Sequence, residues 1–325
     1  MVKTWLFDFD DTLFPNQHDY SFAHMQLIEF VTERFGKGQD LRSARAQIEF
    51  IEHVIGSLGY RAPNAVNILR TLDRMGAGSD DLGEAMREAY RIMALGVGQR
   101  PTDDLLSVAH SIGVEIRARE ASAITPYEIL ATQERIDVKN LERYGWHMER
   151  FPTSMREAFG EIAARCGVTP LPSDLDLAYG IGLTAFDETR YHERGLLPGV
   201  PETLGFLRER DELILVTKGD PRVQERKFRA TGIRRWFGDH IFTLIHKDAA
   251  VLKRIAGYRD PGCVTHVGNS IRSDVDVACE AGFGAVYIPC ETWAYERKHN
   301  GFTEGPRKVK LDRISEMIER YDSLP

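Results

Sequence analysis

The sequence has few of the features that mark secreted, membrane-spanning or nucleic-acid-binding proteins. Its 325 residues include only four cysteines, without CxxC or other zinc-like spacing, so a disulfide scaffold and a zinc site are not expected. No apolar run approaches the ~20 residues of a membrane span, and no signal peptide is recognisable. The net charge of -7 lacks the basic excess of a general nucleic-acid binder. These absences predict a reduced cytoplasmic protein without a nucleic-acid or membrane partner.

From residue 195 onward, short apolar segments alternate with amphipathic ones. The apolar segments read ELILVT, HIFTLI, CVTHVG and AVYIP, and helix-like stretches separate them. This alternation is typical of parallel strands joined by crossover helices, and it predicts an α/β fold with a Rossmann-like, doubly wound parallel sheet. Residues 2–9 form one more apolar, strand-like segment near the start of the chain.

A long helical region separates this first strand from the others. Amphipathic segments with glycine ends recur through it, whereas LPSDLDLAYGIGLTAF is ambiguous between strand and loop. The simplest organisation is an insertion, because residues 2–9 then join the later strands in one sheet. We therefore expect a core of residues 1–14 plus 195–325 and an inserted α-helical domain of residues 15–194.

Four short polar stretches directly follow four of the predicted strands. They are DFDDT (8–12), VTKGD (216–220), HKD (246–248) and VGNSIRSD (267–274). Because the carboxyl ends of parallel strands share one edge of a sheet, these stretches are expected to converge there. Carboxylates, a hydroxyl, a lysine and a glycine-flanked polar loop are the groups that phosphoryl transfer with a divalent metal requires.

These four stretches, in this order, resemble the motifs of the haloacid dehalogenase-like (HAD) hydrolase superfamily. The resemblance is to the branch with a helical cap inserted after the first motif, hhhhDxDxT, which Asp8, Asp10 and Thr12 match. VTKGD is similar to the second motif, and Lys247 to the third-motif lysine. VGNSIRSD is similar to the fourth motif, usually GDxxxxD. The segment GLLPGVPETLGFLRER resembles the return from cap to core.

The resemblance implies a role for each matching residue. Asp8 would be the nucleophile that forms an aspartyl-phosphate, and it would also bind Mg²⁺. Asp10 would be the general acid and base, and its backbone carbonyl would bind the metal. Thr217 would bind a phosphate oxygen, and Lys247 would hold the nucleophile and phosphate. Asp11 is expected to cap a helix or support the site instead of reacting.

Asn269 departs from the family pattern because it stands where an aspartate usually binds the metal. With Asp274 it would complete the metal ligands, and a neutral amide oxygen is a weaker ligand than a carboxylate. Two outcomes are open, a working site with weaker metal affinity or a site that binds without turnover. A subgroup with GNSxxSD and a following Trp-containing loop favours the first, because residues 289–301 resemble that loop. Trp293 and Glu296 in it are candidates to line the site.

The substrate contacts are less defined than the catalytic groups. Lys218 and Lys227 compete with Lys247 for the third-motif role, but solvated surface positions are expected for both, with Lys218 kept as a candidate substrate contact. In GWHMERFP (145–152), Arg150 is a candidate phosphate clamp, accompanied by Trp146 and His147. The expected partner is a small phosphorylated metabolite, and the oligomeric state is open.

The hypothesis from the sequence is a Mg²⁺-dependent phosphatase acting on a small phosphomonoester. Dehalogenases of this superfamily lack the second aspartate, so Asp10 argues against that reaction. Phosphonate-cleaving members use a cap lysine, and the only lysines of 15–194 are Lys37 and Lys139, neither in a suggestive context. A phosphomutase stays open as an alternative. So does a weakly active or inactive protein that binds a phosphorylated ligand or a partner, which Asn269 supports.

Overall fold

The structure is a computed structural model that describes residues 2–35, 82–96, 126–290 and 301–325, with scattered positions between 102 and 124. The helices expected in 36–81 lie outside the described residues. The chain forms two compact units. A sheet unit contains Met1–Gln17, Trp146–Met148 and Asp187–Pro325, and a helical unit contains His18–Gly145 and Glu149–Phe186. Their limits differ from the expected core and insertion by a few residues at each junction, and by the short segment Trp146–Met148.

The described part of the helical unit consists mainly of α-helices. Those that the structure describes are α1 (Gln17–Phe35), which begins in the sheet unit, α2 (Leu82–Gly96), α3 (Pro126–Tyr144), α4 (Arg150–Arg165) and α5 (Pro172–Leu183). The segment expected to be strand or loop forms helix α5, so that expectation is wrong. Pro172 occupies the first position of this helix, where a proline without an N–H is favoured. Among the described residues, no helix is long and apolar enough to cross a membrane.

The sheet unit contains a six-stranded parallel sheet in the order β3-β2-β1-β4-β5-β6. Its strands are β1 (Thr4–Phe7), β2 (Glu212–Lys218), β3 (Ile241–Leu244), β4 (Val264–Gly268), β5 (Gly284–Tyr287) and β6 (Lys308–Lys310). The predicted α/β class is therefore confirmed. Strand β6 was not predicted, because its sequence KVK has a single apolar residue.

Helices connect and flank the strands of this sheet. They are α6 (Glu188–Arg194), α7 (Val200–Arg208), α8 (Pro221–Thr231), α9 (Arg234–Phe237), α10 (Ala249–Ala256), α11 (Val277–Ala281) and α12 (Glu316–Glu319), and a π-helical turn, Ile271–Asp276, precedes α11.

Both faces of the sheet are buried, as the alternation of side chains along β1 shows. Trp5 and Phe7 belong to one hydrophobic cluster together with Leu215, whereas Leu6 belongs to a second cluster together with Ile214. Successive residues of a strand point to opposite faces, so both clusters lie against the same sheet. Burial on both faces is the usual state of a parallel sheet.

The register of the central strands brings the predicted motifs to one edge. Phe7, the last residue of β1, lies opposite Leu215 of β2 and Val267 of β4. The residues that follow each of these positions are Asp8, Thr217 and Asn269 within one or two places. The carboxyl ends of β1, β2 and β4 therefore present three of the four motifs side by side.

Candidate active site

The loop after β1 is a tight turn around one carbonyl group. The N–H groups of Thr12, Leu13 and Phe14 all point to the carbonyl oxygen of Phe9, at 2.8–3.3 Å. Asp11 adopts a φ of 59°, in the left-handed region that aspartate tolerates better than most residues. These bonds hold residues 9–14 in a compact turn, so the aspartates stay close to the end of β1.

Asp8 shares a lysine with the aspartate of the fourth motif. Its N–H donates to the carbonyl of Val267 at 2.9 Å and continues the pairing of β1 with β4. The Nζ of Lys247 donates to Asp8 Oδ1 at 2.7 Å and to Asp274 Oδ1 at 2.6 Å. The side chain of Lys247 is fully buried. The structure thus brings together three of the residues predicted from separate motifs.

Burial and shared charge set the protonation of this group. Burial raises the pKa of Asp8 to about 6, and the charge of Asp274 adds to this effect against the opposing ammonium of Lys247. Burial also opposes the ionisation of Asp274, but the Lys247 charge and a hydrogen bond from His266 hold its pKa well below the ordinary value. For Lys247, burial is outweighed by the two carboxylates, so its pKa lies above the ordinary value.

His266 supports the same group from within β4. Its Nδ1 lies 2.6 Å from the carbonyl oxygen of Leu6, and because a carbonyl can only accept, Nδ1 carries the proton. Its Nε2 lies 3.3 Å from Asp274 Oδ1 and 3.5 Å from Lys247 Nζ. The ring is almost completely buried and links the backbone of β1 to the Lys247–Asp274 pair.

The loop after β4 holds Asp274 against the end of its own strand. The N–H of Ser270 donates to Asp274 Oδ2 at 2.9 Å. A Cβ added to Gly268 would lie 2.2 Å from the Asp274 carboxyl carbon, so only glycine permits this approach. Asn269 accepts a hydrogen bond from the hydroxyl of Thr12 at 3.2 Å, which joins the first and fourth motifs.

Asp10 is held by helix α8. Lys227 Nζ donates to Asp10 Oδ1 and Gln224 Nε2 donates to Asp10 Oδ2, both at 2.8 Å. The expectation of a solvated surface position for Lys227 is wrong, since its side chain is only 3% exposed. A lysine in mid-helix reads as a surface residue by default, but this position faces the sheet edge.

Thr217 and Lys218 end strand β2 beside this group. The Thr217 hydroxyl accepts from Gln224 Nε2 at 3.3 Å and donates to the Lys218 carbonyl at 3.4 Å. Lys218 is half-buried, not fully solvated as expected. Its Nζ donates to the Ser273 hydroxyl at 2.6 Å and lies 4.8 Å from the centre of the Trp146 ring.

Asp11 has the capping role that was expected for it. Its Oδ1 accepts from the N–H of Gln17, the first residue of α1, at 2.9 Å. Burial raises the pKa of Asp11 to about 7, and the backbone hydrogen bond from Gln17 lowers it only in part. The carboxyl groups of the three aspartates are therefore stabilised in three different ways. Asp8 is paired with Lys247, Asp10 is paired with Lys227, and Asp11 is a buried cap.

Arg150 is a correction to the predicted substrate contacts. It opens α4 in the helical unit, where its guanidinium is buried and forms an ion pair with Asp137 of α3. A buried arginine paired in this way fastens two helices together, so we assign it a structural role. Trp293 and Glu296 lie outside the described residues. His147 belongs to the sheet unit, and its Nε2 lies 3.1 Å from a guanidinium nitrogen of Arg222.

Three residues of the site had no signal in the sequence motifs, namely Gln224, Lys227 and His266. The spacing of Gln224 and Lys227, three positions apart on a helix, would place both on one face. Which face meets the sheet edge depends on how α8 packs, and the spacing alone does not specify it. His266 lies inside an apolar strand, where a lone histidine gives no indication of its partner.

The geometry defines a carboxylate-rich site at the end of a doubly wound parallel sheet, with two buried lysines. Residues 2–282 match the family model described as haloacid dehalogenase-like hydrolase. The chain therefore belongs to the haloacid dehalogenase-like hydrolases. No curated protein matches the sequence significantly.

Solved structures of other proteins are similar to this chain. One is a haloacid dehalogenase-like family hydrolase from Xanthomonas campestris, with 15% identity, TM-score 0.57, and coverage of 99% of this chain and 95% of that chain. A HAD-hydrolase from Bacillus subtilis, described as bound to magnesium, has 12% identity, TM-score 0.47 and 99% coverage of both chains. An L-2-haloacid dehalogenase from Xanthobacter autotrophicus has 12% identity, TM-score 0.45 and 100% coverage of both. At 15% identity, the likeness to the Xanthomonas campestris structure concerns the fold alone.

The expected metal ligands have the chemistry that Mg²⁺ requires. Asp8 and Asp274 are two buried carboxylates that share one ammonium, so the pair keeps an excess of negative charge. Hard oxygen donors of this kind suit Mg²⁺. Within the described residues, no three His, Cys, Asp or Glu side chains are grouped as a metal site. The expected set contains only two such carboxylates, since its other donors are the Asn269 amide and the Asp10 peptide carbonyl.

Proposed function

We propose that the protein is a Mg²⁺-dependent phosphatase that hydrolyses a small phosphomonoester through an aspartyl-phosphate on Asp8. The observation that carries this proposal is the pair Asp8 and Asp10, two carboxylates at one strand end that are each paired with a separate buried lysine. Dehalogenases of the superfamily that the motifs resemble lack the second aspartate of the first motif. A second carboxylate with a partner of its own therefore favours phosphate chemistry.

In the first step, Asp8 attacks the phosphorus and the bond to the ester oxygen breaks. Asp10 gives its proton to the departing oxygen, so the alcohol leaves neutral. In the second step, water attacks the phosphorus of the aspartyl-phosphate, and Asp10 accepts the proton that the water loses. Phosphate departs, and the Asp8 carboxylate is restored. Thr217 donates to a phosphate oxygen, and Lys247 keeps Asp8 in position throughout.

A bound Mg²⁺ would neutralise part of the negative charge that accumulates when a phosphate meets two carboxylates. Asp8, Asp274, Asn269 and the carbonyl of Asp10 would hold it. Asn269 contributes no charge, so we expect a millimolar rather than micromolar requirement for the metal. The hydroxyl of Thr12 donates to the amide oxygen of Asn269 and holds it in place. This supports a working metal site over a site that has lost turnover.

We assign substrate specificity to Lys218 and to the helical unit, which in this proposal corresponds to the cap of the family. The Lys218 ammonium beside Ser273 and Trp146 supplies a positive charge next to an aromatic ring. This combination suits a small phosphorylated metabolite with a further polar or anionic group.

Phosphate release from p-nitrophenyl phosphate across a Mg²⁺ titration tests the proposal. We expect activity in the wild type, none above background in Asp8→Asn, and a lower Mg²⁺ requirement in Asn269→Asp. No release from this ester or from a panel of natural phosphoesters would contradict a phosphatase. Activity gained only in Asn269→Asp would instead indicate a binding protein. An isomerised product without net phosphate release would indicate a phosphomutase.

A further inference from the structure

Lys227 is a buried cation with two oxygen partners. Its ammonium donates to Asp10 Oδ1 at 2.8 Å and to Asn16 Oδ1 at 2.7 Å. The rings of Phe14 and Tyr191 lie 5.4 and 5.9 Å from Nζ. Burying an ammonium is costly unless its partners compensate. An apolar side chain would pack against the same rings without that cost, so packing alone does not account for the lysine.

Gln224 lies one turn before Lys227 on the same face of α8. Its Nε2 donates to Asp10 Oδ2 at 2.8 Å, and it also reaches the Thr217 hydroxyl at 3.3 Å and the Lys218 carbonyl at 2.9 Å. Both oxygens of Asp10 are therefore bonded to one helix. The carboxylate cannot rotate without breaking one of these bonds, which fixes its plane relative to the edge of the sheet.

We propose that Lys227, together with Gln224, is a positioning residue for the acid–base carboxylate of Asp10. This inference rests on the proposed function. When the proton leaves Asp10 for the ester oxygen, the P–O bond breaks and the electron pair of that bond stays with the oxygen. The carboxylate formed on Asp10 is stabilised by the ammonium and the amide, which already have the required positions. In this role both side chains act through Asp10.

Esters that differ in the stability of their leaving group test this role. p-Nitrophenolate departs with little help from a proton donor, whereas the alkoxide of methyl phosphate needs one. The value of kcat/KM reports the steps up to phosphoryl transfer, so it isolates the step in which Asp10 acts as acid. We would compare wild type, Lys227→Met and Lys227→Arg, with Lys253→Met as the control for loss of an exposed helical lysine.

We expect Lys227→Met to lower kcat/KM for methyl phosphate at least ~10-fold more than for p-nitrophenyl phosphate, because proton donation is worth roughly 100-fold or more. Lys227→Arg should recover part of the loss, and Lys253→Met should lose nothing. If Lys227→Met does not fold, as judged by circular dichroism, Gln224→Leu gives the same comparison with the second bond.

An equal loss for both esters would overturn the inference, since a merely structural lysine affects both alike. So would full activity of Lys227→Met on methyl phosphate. A wild type that releases phosphate from neither ester, nor from a panel of natural ones, would overturn the proposed function and this inference with it. That failure is recognised because it occurs in the wild type itself and is not confined to the variants.

Discussion

At the scale of single residues, the site depends on a few atoms that approach closely. Three aspartates within four positions would repel one another if all were ionised and unpaired. Two of them have a lysine each. The third, Asp11, accepts a backbone hydrogen bond, and its pKa is raised by burial to about 7. The first prediction concerns this third carboxyl.

Asp11→Asn should stabilise the protein at alkaline pH. The ordinary pKa of an aspartate is 3.8, and burial raises that of Asp11 to about 7. Between these values the unfolded chain ionises first, so wild-type stability falls as pH rises through this range and then levels off. Asparagine keeps the acceptor for Gln17 and tolerates a positive φ. Urea unfolding in chelator should show a gain on the order of 2–4 kcal/mol at pH 8 and little gain at pH 4. A pH-independent difference would contradict the buried carboxyl.

Gly268→Ala should damage the site through Asp274. The added Cβ would overlap the Asp274 carboxyl group, so the loop after β4 must shift. We expect a loss of about 1–3 kcal/mol in the free energy of unfolding, with a loss of phosphate release. Gly205→Ala is the control, because a Cβ there meets nothing within 4 Å and a helical alanine adds roughly 0.5–1 kcal/mol. Equal unfolding free energies for the two variants would be inconsistent with the close approach.

At the scale of elements, the strands and their polar ends were predictable from the sequence, but the helix faces were not. The apolar segments specify β1 to β5, and parallel pairing brings their ends to one edge. Residues such as Asp8, Thr217 and Asp274 are therefore predictable. The direction in which α8 turns Lys227 follows from tertiary packing, such as that of Phe228 against Phe9, which no local pattern records. Arg150 was misassigned for the same reason, since its partner lies on a different helix.

Helix α10 depends on its N-cap residue, Asp248, which directly follows Lys247 and precedes the first helical residue. The Asp248 carboxylate accepts from the N–H of Val251 at 2.8 Å. Asp248→Ala should therefore lower the free energy of unfolding by about 1 kcal/mol, and Asp248→Ser should restore most of it. Thermal unfolding of both variants checks this prediction. Similar melting temperatures for alanine and wild type would show that this hydrogen bond contributes nothing.

At the scale of the whole molecule, Mg²⁺ should act as a stabilising ligand. Any ligand that binds only the folded state raises the melting temperature with its concentration. We expect the melting temperature of the wild type to rise as Mg²⁺ increases through the millimolar range. The melting temperature of Asn269→Asp should rise at lower Mg²⁺ concentrations, and that of Asp274→Asn should rise little. Scanning calorimetry in chelator followed by a Mg²⁺ series measures this without turnover. An Asn269→Asp curve that coincides with the wild type would remove Asn269 from the ligand set.

The central strand β1 has a consequence for how the chain folds. It pairs on both sides with strands that lie more than two hundred residues later in the sequence. During synthesis the segment carrying Asp8 and Asp10 leaves the ribosome before β2 and β4, and β1 has no partner strand until they have followed. Contacts between such distant positions slow folding, and an apolar strand without a partner is prone to aggregation. We therefore expect the loop after β1, which carries Asp8 and Asp10, to reach its final structure late in folding. In a nascent chain, the appearance of phosphatase activity would then indicate that the sheet is complete.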